Sequence, residues 1–377
     1  MGPLSGIKVI EVRGIGPGPY AGMLMADLGA EVTVVDRVGA EASIAPPAAV
    51  DVTMRGKRSI KVDLKSAEGV ELLLQMVERS DVLIEGFRPG VAERLGFGPE
   101  ACHVRNAGLV YGRITGWGQT GPLSQAAGHD INYIALAGAL GSIGPRDKPA
   151  IPLNLIGDYA GGSLFLVIGV LAALVERQRS GQGEVIDAAI VDGTASLTHI
   201  LYTLAALKLW QPVRGANLLD GGAPHYDVYR TADDKFVSVG PLEPQFYALF
   251  VEKAGLDAAV FNPQLAFAEW PARRAALADA FATRTRDEWC ELLEGTDACF
   301  APVLDYTEAP SHPHNAARQN FVTVGGMQQP APAPRFERAT PETPSTAHVE
   351  GSDTETVLAE LGLNDEAIAA LRQQGVI

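Results

Sequence analysis

The chain has 377 residues, 47% hydrophobic and 20% charged, enough to bury the cores of one large domain and a smaller one. Its 45 acidic residues outweigh 30 basic ones, and the formal net charge of −15 disfavours nonspecific binding to nucleic acid or to an anionic membrane surface. Cys102, Cys290 and Cys299 are too few and too irregularly spaced for a disulfide framework or a zinc site, so no metal and a reducing, cytoplasmic setting are expected.

The N-terminal text lacks the basic-then-apolar organisation of a secretory signal. Residues 7–12 and 31–36 predict strands, with a helix over 20–28 between them that ends at Gly29. Further strands are expected at 59–64, 81–85 and 109–115, and an amphipathic helix at 66–78 with Val70, Leu73, Leu74 and Val77 on one face. This alternation predicts an α/β, Rossmann-like large domain with a mostly parallel sheet. The apolar run 164–175 is interrupted by Gly169 and followed by Glu176, Arg177 and Arg179. It is short for a membrane span and reads as part of a buried helix over 161–179, closed by Gly181.

A strand at 185–190 and a helical stretch over 192–210 lead to the glycine-rich connection 215–224, where a domain boundary is placed. Beyond it lies a smaller α+β domain, with strands at 226–230, 236–239 and 299–303 and helices at 245–254, 270–281 and 286–293. The proline-rich text at 330–334 and the stretch 340–346 read as extended connectors before helices at 354–361 and 366–373. The expected organisation is therefore a large domain over 1–214, a small one over 215–325, and a connector with C-terminal helices over 326–377 that returns to the large domain.

Several motifs carry chemistry. Gly14, Gly16, Gly18 and Gly22 between the first strand and helix, with Asp36 ending the next strand, imitate a dinucleotide fingerprint. The third glycine is displaced, and Pro17 and Pro19 remove backbone donors from the turn, so a plain strand-to-helix turn is the alternative. Arg55, Lys57, Arg58, Lys61 and Lys65 form a basic stretch that points either to a phosphate-bearing ligand or to a solvated face. Arg37, Arg88 and Arg94 follow strands or open helices where the ligand edge of the sheet is expected.

His129, in Gly128-His-Asp-Ile-Asn-Tyr133, is either a helix cap or a base. Asp158, before Ala160-Gly-Gly-Ser163, is either a near-cap carboxylate of the long helix or a proton carrier. Glu243 starts a helix of the small domain.

Together these segments resemble the family III CoA-transferase superfamily over nearly the whole chain. The resemblance runs through Leu4-Ser-Gly-Ile-Lys, Ala26-Asp-Leu-Gly-Ala, Gly56-Lys-Arg-Ser, Arg88-Pro-Gly-Val, Thr115-Gly-Trp-Gly-Gln, Gly128-His-Asp-Ile-Asn-Tyr, Asp220-Gly-Gly-Ala-Pro, Gly240-Pro-Leu-Glu-Pro-Gln and Gly295-Thr-Asp-Ala-Cys. It implies a racemase branch that interconverts (2R)- and (2S)-2-methylacyl-CoA thioesters with no cofactor, the CoA being part of the substrate.

On that resemblance His129 and Asp158 work as opposed bases, Glu243 steadies His129, and backbone N–H groups near 157–161 stabilise an enolate. Arg37, Leu64 and Lys65 would hold the nucleotide, Arg88 and Arg94 the phosphates, and Gly128, Asp130, Ile131, Asn132 and Tyr133 would lie near the thioester. The resemblance also implies an interlocked homodimer, with the active site shared between the large domain of one subunit and the small domain of the other. The alternative within the superfamily is a CoA transferase in which Asp158 attacks the acyl group.

Overall fold

The structure is a computed structural model that describes residues 2–39, 50–339 and 344–377. Six short strands form its central sheet: β1 (Lys8–Val12), β2 (Glu31–Asp36), β3 (Lys57–Lys61), β4 (Val82–Glu85), β5 (Val110–Thr115) and β6 (Val185–Ala189). The order is β3-β2-β1-β4-β5-β6 and every neighbouring pair is parallel. Parallel strands are covered on both faces, so β1, β2 and β4 are buried almost from end to end. On one face Ala21, Met25, Leu166 and Val170 pack on Val9, Val32, Ile84 and Val110. On the other, Leu73, Met76, Phe97 and Cys102 pack on Ile10, Val35, Ile60 and Tyr111. The strand order reverses between β1 and β4, which opens a crevice at the carboxyl ends of these strands.

The expected strands lie within three residues of their sequence-based positions, while the helices show more differences. The first helix, Pro17–Asp27, starts three residues before its expected beginning, because proline fits a first turn whose N–H groups have no partner inside the helix. Helices Val91–Leu95 and Pro99–Arg105 were not anticipated; each spans fewer than two full turns and leaves little periodicity. The helical stretch after β6 is broken at Thr198 into Ile190–Leu197 and His199–Ala206.

The largest correction concerns the long helix, which begins at Leu155 rather than Gly161. It runs as a wide, π-type coil through Leu155–Leu164 and as an α-helix through Phe165–Ser180. At 26 residues, with a mean hydropathy of 1.9 over an 18-residue stretch, it is long and apolar enough to cross a membrane, by length and composition alone. Leu166, Val170 and Leu174 lie buried in the core that covers the sheet, which gives the helix an internal packing role.

Two compact units divide the chain: Met1–Ala137 with Leu153–Leu197 and Gln319–Ile377, and Gly138–Pro152 with Thr198–Arg318. The second unit therefore takes in 198–214, upstream of the glycine-rich connection. It carries an antiparallel sheet of β7 (Asp227–Arg230), β8 (Phe236–Val239) and β9 (Phe300–Val303) over a core of Val237, Tyr247, Phe250, Phe281 and Trp289. In the first unit the proline-rich text is partly strand: β10 (Phe321–Val324) and β11 (Met327–Pro330) form a hairpin. Of the expected connector at 340–346, residues 340–343 lie outside the described residues.

Three cations of the basic stretch are engaged within the fold, two of them buried, which corrects the reading of Arg55, Lys57 and Arg58 as part of a phosphate site. Arg55 pairs with Asp27 and reaches Gln329 Oε1 at 2.9 Å; Lys57 pairs with Glu11 and donates to the Pro19 carbonyl at 2.8 Å; Arg58 holds Glu360 at 2.8 Å. Gly22 is explained here, since a Cβ at that position would lie 1.9 Å from Glu11 Oε2. The late glycine of the fingerprint makes room for a buried ion pair.

His225 is 1% exposed among Tyr247 and Trp270, and neither ring nitrogen has a hydrogen-bond partner among the described residues. Burial, helped by the nearby Arg273 charge, lowers its pKa from 6.5 to about 4. The unfolded chain then takes up a proton that the folded one refuses, so stability falls as pH drops from about 6.5 to 4, by up to ~3 kcal/mol. His225→Phe is expected to stabilise the protein by about 1–3 kcal/mol at neutral pH and to remove this acid-side loss in urea titrations.

Candidate active site

The loops after β1, β4 and β5 converge at the switch point and line a cavity of about 530 Å³, with Gly16, Arg88, Trp117, His129, Tyr133 and Asp158 among its walls. Asp158 sits inside the wide coil and not at a helix cap. The Tyr159 N–H donates to the Asn154 carbonyl at 3.3 Å, a five-residue step characteristic of a π turn. Glycines permit this close packing: a Cβ would lie 2.3 Å from Asp130 Oδ2 at Gly157, 2.5 Å from Thr194 Oγ1 at Gly161, and 3.0 Å from the Ile190 side chain at Gly162. Across the cavity, a Cβ on Gly16 would lie 3.2 Å from Asp158 Oδ2. The glycine turn after β1 thus forms a wall against the Asp158 carboxyl.

Asp158 has the electrostatics of a proton carrier. Burial pushes its pKa up to about 6, the Asp130 charge adds to this, and Asn154 and His129 only partly oppose it. Burial therefore outweighs the start of the helix, and a carboxyl at about 6 exchanges protons readily near neutrality.

His129 immediately precedes helix Asp130–Leu136, and its own N–H donates to Asn132 Oδ1 at 3.0 Å. Its Nδ1 is 2.7 Å from the Gly128 carbonyl. A carbonyl only accepts, so Nδ1 carries the proton and Nε2 keeps its lone pair. His129 is exposed at the cavity, and that lone pair is the atom available to act as a base. Tyr133 packs edge-on against Trp117 at 4.8 Å and donates to the Gly128 carbonyl, which fixes the loop carrying His129.

A second cavity of about 360 Å³ gathers Arg37, Leu64 and Lys65 with Arg13 and Phe87; both cavities reach Val12 at the end of β1. Asp36 lines it too, but its carboxylate accepts the Ser59 hydroxyl at 2.7 Å and faces Arg13 at 3.7 Å, so it is engaged within the fold. Arg94 lies in helix Val91–Leu95 and lines neither cavity. Gly128 and Asp130 line the first cavity, whereas Ile131 and Asn132 do not.

Glu243 is exposed at the start of helix Pro244–Lys253 in the second unit. The N–H groups of Gly157 and Asp158 are directed to the Asp130 carboxylate, so these two are not the oxyanion donors expected near 157–161. Among the described residues no group of three or more His, Cys, Asp or Glu could hold a metal ion.

Sequence reasoning missed three members of the site. Gly16 was visible as a turn residue, without its distant neighbour. Asn154, whose Nδ2 is 3.5 Å from Asp158 Oδ2, had only its place four residues upstream as a signal. Trp117 carries a buried Nε1 with no partner among the described residues, and only its aromatic character in a glycine-rich loop marked it.

The family model for CoA-transferase family III matches residues 4–352. The chain is 45% identical to the protein named alpha-methylacyl-CoA racemase in Mus musculus, covering 99% of this chain and 97% of that protein. It is 44% identical, at the same coverage, to the protein of that name in Homo sapiens. Among solved structures it is similar to a CaiB/BaiF family protein from Brucella suis, with a TM-score of 0.81 and 25% identity over 96% of this chain and 99% of the other.

The two glycines that open the β1 turn differ in their surroundings. Gly16 has φ +74° and the Asp158 carboxyl beside it, whereas nothing lies within 4 Å of a Cβ at Gly14. Gly16→Ala is expected to cost about 1 kcal/mol or more in urea unfolding, with Gly14→Ala near neutral. Equal losses would contradict the assigned packing.

Proposed function

The chain belongs to CoA-transferase family III, and we propose that within it the chain is a racemase that interconverts (2R)- and (2S)-2-methylacyl-CoA thioesters through His129 and Asp158. The observation that carries this reading is the pairing, around one cavity, of an imidazole with a free Nε2 and a carboxyl with a pKa of about 6. In one direction His129 Nε2 takes the α-proton and the C–H electron pair moves onto the thioester oxygen as an enolate. The Asp158 carboxyl then gives its proton to the opposite face of the same carbon. The product has inverted configuration and leaves the pair as imidazolium and carboxylate, ready for the other enantiomer.

The second cavity supports the substrate class, because Arg37 and Lys65 supply cations beside the apolar walls of Leu64 and Phe87, which suits a phosphorylated nucleotide. Arg88 would face the pyrophosphate from the catalytic cavity. A homodimer is part of the proposal, with Glu243 of the partner subunit steadying His129. Supporting it, Leu164, Ile168 and Val175 are 43%, 59% and 61% exposed along the long helix, and helix His199–Ala206 buries none of its residues in the single chain.

His129→Ala and Asp158→Asn should each lower interconversion of the two enantiomers by about 10²-fold or more, while leaving thioester affinity within about threefold. Unchanged interconversion would refute the two-base assignment. A hydroxylamine-sensitive acyl adduct on Asp158 would instead mark group transfer.

The working pair holds one proton, so a second proton removes the base and loss of the first removes the acid. kcat/KM should therefore be bell-shaped with the same limbs in both directions, one of them near pH 6. Lys65→Ala should raise KM about tenfold with kcat little changed, as expected of a group that binds substrate and transition state alike.

A further inference from the structure

Asp130 is adjacent in sequence to His129 and hydrogen-bonded to the residue that would oppose it. It is the first residue of helix Asp130–Leu136 and is 6% exposed. Its Oδ2 accepts the Asp158 N–H at 2.7 Å, and the Gly157 N–H also donates to this carboxylate. The approach is close enough that a Cβ on Gly157 would lie 2.3 Å from Oδ2. Oδ1 is buried and has no partner among the described residues, so the side chain is turned inward and is not spread over solvent.

We propose that Asp130 is a positioning residue for the proton transfer, a clasp that ties the turn carrying Asp158 to the helix start carrying His129. This inference rests on the two-base reading above. Asp130 touches neither proton in transit; it acts by fixing the backbone of one carrier relative to the other. A displacement of about 1 Å in such an arrangement costs on the order of 10²-fold in rate. Asp130 also contributes charge, since a carboxylate behind Asp158 disfavours a second negative charge and helps that carboxyl keep a proton near neutrality.

Three variants separate geometry from charge. Asp130→Asn keeps the shape and removes the charge. It is expected to fold normally, with KM within about threefold, kcat down about tenfold, and both limbs of the kcat/KM profile moved to lower pH by about 0.5–1 unit. Asp130→Glu keeps the charge but lengthens the clasp, so kcat falls while the limbs stay in place. Gly157→Ala strains the same contact from the other side and should also lower kcat with unmoved limbs, which covers the case in which Asp130→Asn does not fold.

Wild-type kcat and unmoved limbs in Asp130→Asn would overturn the proposal. So would losses in the variants that only track the folded fraction. The wild type measured alongside distinguishes the two levels of failure. Exchange in the wild type with an unaffected Asp130→Asn removes the clasp alone, whereas absence of exchange in the wild type removes the two-base reading and the clasp with it.

Discussion

The site depends on one steric constraint: the coil Leu155–Leu164 must lie in backbone contact with its neighbours. Gly161 meets the chain at Ile190 and Thr194, and a Cβ at Gly193 would come within 1.9 Å of the Gly161 carbonyl oxygen. Helix Ile190–Leu197 is in turn fixed at the end of β6, so the sheet determines where the coil can rest. A π-type coil is less favourable than an α-helix in isolation and persists where surrounding packing over-determines it. Its product here is a carboxyl directed into the crevice at the switch point, with the β1 turn on its other side.

Charge is distributed by the same economy of space. Although the chain carries a net −15, several of its cations face inward: Lys57 on Glu11 and Arg55 on Asp27 are almost fully buried pairs. Burial pushes the Glu11 carboxyl up and the Lys57 ammonium down, so this pair adds little net stability; yet removal of one partner would cost about 3–5 kcal/mol. Their structural role is connection. Through Gln329, Asp353 and Glu360 the C-terminal segment is fastened to β3 and its approach, and Arg37 and Lys65 remain free to line the second cavity.

Much of the sheet was legible in the sequence because parallel strands announce themselves as runs such as Val32 to Val35, and the strand–helix alternation leaves few topologies. The residue types of the site were legible too, since His129, Asp158 and the glycine turns stand out from apolar text. Hydrogen-bond register was not. An α-helix and a π coil share nearly the same apolar pattern, so one of the two readings of Asp158 set it near a helix cap when it lies within the coil. Distant partners were equally hidden: Arg55 meets Asp27 across 28 residues and Gln329 across 274, and no local feature of the basic stretch reveals that three of its charges are already paired. Gly22 shows the same limit, because its meaning rests on Glu11 and Lys57.

The most direct test of the central claim is to follow configuration and isotope together when the protein acts on one enantiomer of a 2-methylacyl-CoA thioester in deuterium oxide. The account predicts inverted thioester carrying one deuterium at the α-carbon, with no free acid required. Inverted product that keeps its original proton, or acyl transfer to a free acid with the α-carbon unlabelled, would contradict it.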